Sequence, residues 1–146
     1  CSILRFVTLP PNLRLIPWGC FHDCILLTHL HIPESVEEIG SYVFYGSGIQ
    51  ATKILEEDEF IPGTILLPPK LRSISKQCFM NCKSVTNIHI PDSVQQIGEN
   101  ALLVSGLRSI TIPEYVNHIG LGACRNCSSL ERVTIHASNN LIMTDN

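Results

Sequence analysis

Short alternating segments recur along the chain: an aliphatic residue, a polar one, an aliphatic one, then proline. Leu30-His31-Ile32-Pro33, Ile88-His89-Ile90-Pro91 and Ile110-Thr111-Ile112-Pro113 are three copies. With the second aliphatic residue as position zero, the copies fall at Leu9, Ile32, Leu67, Ile90 and Ile112, spaced 23, 35, 23 and 22 residues apart. A sixth copy follows 23 residues later at Ile135, with His136 in place of Pro. Other columns keep the same phase. Position minus two holds Val7, Leu30, Ile65, Ile88, Ile110 and Val133. Position plus four holds Leu13, Val36, Leu71, Val94 and Val116, and position plus seven holds Ile16, Ile39, Ile74, Ile97, Ile119 and Ile142. Alternation with period two is the signature of a short strand with one buried face. The following Pro lacks an N–H and fixes φ, so it ends each strand.

The rest of each unit completes a coil. The plus-seven Ile is often followed by Gly, as at Gly40, Gly98 and Gly120, where a positive φ would suit a corner. Then comes a segment such as 78–82, long enough for one helical turn. A lone coil cannot bury its apolar face, but stacked coils set like residues over like residues. The fold class is therefore an α/β repeat: one domain over 1–146, a solenoid with one parallel sheet, short helical or extended returns and about five coils of 22–23 residues. Repeats start near 9, 32, 67, 90 and 112, with a partial one at 135. Strands are expected near 5–8, 28–32, 63–67, 86–90, 108–112 and 131–135, in a stack roughly 25–30 Å long.

The 35-residue interval breaks the rhythm. Residues 47–54 match 105–112 position for position, yet 63–68 also read as a strand entering a Pro. Only about eight residues join the two, and a parallel crossover needs a dozen or more. One of 49–54 and 63–67 is expected to leave the sheet, with the acidic stretch 55–62 bulging from the stack. A tolerated surface insertion is the simpler reading of that stretch, and a partner-contacting loop the alternative.

Composition narrows the function. The 146 residues carry a net charge of -3, with ten Lys plus Arg scattered against thirteen acids. That opposes nucleic-acid binding, which needs clustered positive charge. Residues are 45% hydrophobic and 16% charged, so the chain is not intrinsically disordered. No apolar run reaches the roughly 18–20 residues that span a bilayer. Leu, Ile and Val supply 43 residues while aromatics are 6%, which suits an aliphatic stacked core. The chain opens in mid-pattern at Cys1 without an initiator Met and reads as a piece of something longer. No phosphate-binding glycine loop, nucleophile elbow or H-E-x-x-H motif is present, so no enzyme and no cofactor are expected.

The units at 27–48, 85–106 and 107–127 combine Ile-Pro, Val-x-x-Ile-Gly or its close variants, and Phe-x-x-Cys or its replacements. The combination resembles the leucine-rich repeat of BspA-like surface antigens, and the likeness covers essentially the whole chain. It implies a leucine-rich-repeat solenoid, a cell-surface or secreted location, and adhesion to host or microbial proteins. Departures include Leu102 and Cys124 at the usual Phe position, Ser47 and Ser105 at the Cys position, His136 for the last Pro and Asn139 for the last Val.

Seven cysteines invite a metal or disulfide reading. The repeat accounts for them better. Cys24, Cys82 and Cys127 share a column with Ser47 and Ser105, and Cys20 and Cys78 share one with Val43, Ala101 and Ala123. They are expected to be structural free thiols, with no metal site. Free thiols suit a reducing compartment, so an intracellular repeat scaffold remains the alternative to a surface antigen.

In a solenoid the outward strand positions carry no packing duty and are the candidate binding surface. One column is Thr8, His31, Leu66, His89, Thr111 and Thr134, and the other is Phe6, His29, Thr64, Asn87, Ser109 and Arg132. If 49–54 supplies the strand, Ala51 and Lys53 replace Thr64 and Leu66. Hydroxyls, imidazoles and amides dominate. The expected partner is a protein, or a glycan, bound by many modest hydrogen bonds. His29, His31 and His89 are expected to be solvated sheet residues, with a pH-sensitive patch as the alternative. Exposed strand edges at the two ends favour end-to-end self-association.

Overall fold

The computed structural model describes residues 3–55, 57–136 and 141–144. The chain winds as a parallel solenoid of about five turns and carries two files of short strands. The first file holds the sequence-predicted strands: β2 (His29–His31), β5 (Thr64–Leu66), β7 (Asn87–His89), β9 (Ser109–Ile112) and β11 (Arg132–Ile135). It also holds β4 (Ala51–Lys53). Residues 5–8 form no strand. The plus-seven residues make the second file: β1 (Leu15–Ile16), β3 (Glu38–Ile39), β6 (Ser73–Ile74), β8 (Gln96–Ile97), β10 (His118–Ile119) and β12 (Ile142–Met143).

Every ladder is parallel, and its register sets equivalent residues side by side. Ile16 pairs with Ile39, Ile74 with Ile97, and Ile97 with Ile119. Ile65 pairs with Ile88, and Ile110 with Val133. The paired isoleucines are almost wholly buried up to Ile97 and Ile110. The last coil slips by one residue: Met143 pairs with Ile119, while Ile142 pairs with His118 and is exposed. Ile142 therefore leaves the plus-seven column in which its spacing placed it. Asn139 lies outside the described residues.

No helix occurs among the described residues. The returns are extended turns. Positions plus ten and plus fourteen take positive φ in coil after coil, as at Tyr42 and Gly46, Gln77 and Asn81, and Asn100 and Val104. Two left-handed residues four apart cannot propagate a helix. They turn alternate N–H groups toward the next coil instead. Tyr42, Phe44 and Gly46 donate to the carbonyls of Lys76, Cys78 and Met80 at 3.1, 2.9 and 2.9 Å. Gln77, Phe79 and Asn81 repeat the set onto Glu99, Ala101 and Leu103 at 3.0, 2.8 and 2.8 Å. The return is thus a third inter-coil ladder. Inside it Phe44 stacks on Phe21 at 5.6 Å and on Phe79 at 5.1 Å between ring centroids.

The Ile-Gly glycines serve a different purpose from the one their spacing suggests. Gly98 does not have a positive φ; a Cβ there would stand 2.6 Å from the Lys76 nitrogen. Gly40 faces Trp18 in the same way, at 2.8 Å. The need is for backbone to touch backbone between coils.

The 35-residue interval also resolves differently. Neither candidate strand leaves the sheet: β4 pairs with β2, β5 pairs with β7, and β4 and β5 lie side by side. Their junction is bridged by a side chain. Buried Thr52, in a column that is otherwise aliphatic, donates to the Leu66 carbonyl at 2.6 Å and accepts the Leu66 N–H at 2.8 Å. On the return side, residues 42–46 stack directly on 76–80. The connection 54–63 therefore never travels round the solenoid, so the crossover length does not constrain it. The result is one extra strand, about 4.8 Å of added stack, on one side only.

Candidate functional site

The alternation that buries Leu30, Ile65, Ile88 and Ile110 turns their neighbours outward. Phe6, Thr8, His29, Asn87, His89, Thr111 and Arg132 are exposed, and His31, Leu66, Ser109 and Thr134 are half-buried. Thr64 is buried, as is Ala51. The connection 54–63 lies against this face. It folds back across the face rather than bulging away: the Phe60 ring meets His29 edge-on at 4.9 Å, and Lys53 Nζ lies 5.5 Å from its centroid. Asp58 holds the turn by accepting the N–H groups of Ile54 and Leu55 at 3.3 and 2.9 Å. His31 Nε2 is hydrogen-bonded to the Ile54 carbonyl at 2.7 Å, and His29 Nδ1 to Thr28 Oγ1 at 2.9 Å.

The sequence-derived face is therefore divided. Phe6, Thr8, His29 and His31 lie on one side of the Phe60 connection. Asn87, His89, Ser109, Thr111, Arg132 and Thr134 lie on the other. On that second side a depression of about 600 Å³ opens over β7 and β9, with Asn87, His89, Ser109 and Thr111 in it and Asp92, Glu114 and His136 at its margin. A smaller hollow of about 350 Å³, lined by Arg108, Ser109, Glu131 and Arg132, adjoins it through Ser109. Among the described residues no three His, Cys, Asp or Glu side chains are grouped to hold a metal.

Two features escaped the sequence reading. Aromatic residues run along the return flank: Trp18 meets Tyr42 at 5.6 Å, Tyr42 meets Tyr45 at 6.0 Å, and His22 stacks flat on Tyr45 at 4.8 Å. His22 and Tyr45 share column plus thirteen, which was the available signal. The second is the state of the cysteines. Cys20, Cys78, Cys82, Cys124 and Cys127 are free, but Cys24 is disulfide-bonded. The expectation of free thiols throughout is corrected at that position, because repeat phase reports a column and not whether a second sulfur reaches it. The column assignment itself stands: Cys82 and Cys127 Sγ donate to the carbonyls of Phe44 and Leu102 one coil back, at 2.9 and 3.1 Å. Burial pushes the Cys82 thiol up to about 12 and the Cys124 thiol to about 11, and raises Cys78 and Cys20. These are packing thiols, poor nucleophiles at neutral pH.

Parallel ladders, internal aliphatic files and a repeat near 23 residues define a leucine-rich-repeat solenoid. The chain belongs to the BspA-type leucine-rich repeat family, whose region matches in six copies over residues 1–63 and 61–145. Its fold is similar to a leucine-rich repeat protein of Bacteroides ovatus, with TM-score 0.73, 28% identity, and coverage of 86% of this chain and 32% of that one. A leucine-rich repeat protein of T. pallidum is similar with TM-score 0.73 and 30% identity over 86% of this chain and 56% of that one. A leucine-rich cell surface protein of Faecalibacterium prausnitzii shares the fold at TM-score 0.53 and 23% identity, over 90% of this chain and 46% of that one. The chain thus spans about a third to just over half of the length of these proteins. No curated protein matches it. Leucine-rich repeats of this kind are in general non-catalytic scaffolds for protein interaction. No helix among the described residues is long and apolar enough to cross a membrane.

Proposed function

We propose that this chain is a protein-binding module of a cell-surface antigen, adhering to host or microbial proteins through the outer face of the first strand file. The observation that carries the reading is the depression over β7 and β9, where Asn87, His89, Ser109 and Thr111 offer hydrogen-bonding groups free of packing duty. The surface location is supported by the naming of a relative of the same fold as a cell surface protein. The disulfide at Cys24 supports an oxidising environment. The five free thiols among the described residues favour the second reading, an intracellular interaction scaffold. The test is capture of purified host extracellular-matrix proteins by the immobilised chain and by an N87A/H89A/T111A variant. Capture is expected to fall sharply in the variant. Equal capture by both would move the site off this face.

A further inference from the structure

The two hollows on the face meet at Ser109 and run along the strand direction, and their ends carry opposite charge. Arg108 immediately precedes β9 and Arg132 opens β11, so both guanidinium groups stand at the starts of the strands. Glu131 lines the same hollow, which leaves that end with one net positive charge. Asp92 follows β7 by three residues and Glu114 follows β9 by two. Both carboxylates are exposed at the far end, where no Lys or Arg lines the depression. Between the ends the floor has no Lys, Arg, Asp or Glu and includes the His89 imidazole. It holds Asn87, Ser109 and Thr111, whose side chains donate and accept hydrogen bonds.

This order follows from the solenoid and not from local sequence. Asp92 and Glu114 share column plus two, and successive coils bring them side by side. Arg108 precedes and Glu114 follows β9, six residues apart and roughly 20 Å along an extended chain, a span that the reach of the Arg side chain shortens. An extended peptide repeats its side-chain direction every second residue, so residues i and i+4 share a face about 13 Å apart.

We propose that this groove binds an extended segment of a partner protein carrying an acidic and a basic side chain four residues apart on one face. The acid meets Arg108 and Arg132, the base meets Asp92 and Glu114, and small polar residues lie over Ser109 and Thr111. A segment of a single charge sign would satisfy one end and be opposed at the other. An uncharged glycan would use neither. The inference rests on the sheet-face reading above and adds the partner's chemistry to it.

The probe is a fluorescein-labelled peptide Asp-Thr-Ser-Thr-Lys with blocked termini, measured by anisotropy at about 10 mM ionic strength, where screening is weak. Its analogues carry Asp at both ends, Lys at both ends, or Ser at both ends. Exposed ion pairs are worth modest amounts, so the mixed peptide should bind about threefold tighter than each analogue. The preference should vanish in R108Q/R132Q and in D92N/E114Q, whose thermal midpoints check that these exposed substitutions leave the fold intact. Equal binding of all four peptides, binding of none, tightest binding by an analogue, or a preference that survives either double substitution overturns the proposal. If the matrix-protein capture still depends on Asn87, His89 and Thr111, the face stands and only the charge order fails. If capture does not depend on them, the face itself fails.

Discussion

The Thr52 hydroxyl holds both backbone polar groups of Leu66, donating to its carbonyl at 2.6 Å and accepting its N–H at 2.8 Å. It stands where a ladder would run and lets an extra strand enter the first file. Thr52→Val keeps the shape and removes both bonds, leaving a part-buried donor and acceptor without this partner. The expected cost is about 1–3 kcal/mol, read from urea unfolding midpoints. A loss below a few tenths of a kcal/mol would mean that the β4–β5 junction stands without this bridge.

Phe79 is fully buried at the centre of the return, stacked on Phe44. Phe79→Ala opens a cavity between coils that backbone ladders on both sides keep from collapsing. A loss of about 3–5 kcal/mol is expected.

Val104 occupies a return position at φ 57, where the equivalent residues are Asp23, Gly46, Asn81 and Asn126. A β-branched side chain is poorly suited to left-handed backbone. Val104→Asn should therefore raise stability by up to about 1 kcal/mol. A rise in the thermal midpoint checks it; a fall would show that the half-buried valine packs better than its backbone suggests.

Gly98→Ala tests the contact between coils. The added methyl would press on the Lys76 nitrogen at 2.6 Å, and the obstacle is backbone that cannot rotate away. The thermal midpoint should drop by several degrees, whereas Gly→Ala at an unobstructed site with ordinary φ is neutral or stabilising.

Buried thiols make stability fall in alkali. Cys82 titrates near 12 and Cys124 near 11 in the folded chain, against 9.0 for an ordinary thiol. Their folded values are raised, so the native state holds its protons where the unfolded state has released them. The contribution is whole below about pH 9 and is lost as pH rises toward 11–12. Unfolding midpoints should decline across that window, less so in Cys82→Ser. At pH 8, iodoacetamide should label exposed Cys20 while Cys78, Cys82 and Cys127 react only after denaturant is added.

Much of the architecture was legible in one dimension because a stack of like coils turns sequence period into spatial register. The columns through Val36, Ile74, Ile97 and Ile110 named core residues without coordinates. The outward columns named Asn87, His89, Ser109 and Thr111, which the depression brings together. Period could not report departures from periodicity. The acidic stretch looked like a loop leaving the stack because nothing in its spacing says where Phe60 points. The isoleucine-glycine pairs suggested positive φ, which falls instead on residues such as Tyr42, Gln77 and Asn100.

By itself the sequence determined which aliphatic columns face inward through the central coils, how many coils stack and that they stack in parallel, because each follows from apolar spacing and from where proline ends a strand. Only the tertiary structure decided that both strands of the long interval enter the sheet, that Phe60 divides the outer face, and that Arg108 and Asp92 close opposite ends of one groove. Those outcomes depend on contacts between residues with no fixed spacing along the chain. They are settled by which buried polar group finds a partner and which ring finds a surface once the coils are already in place.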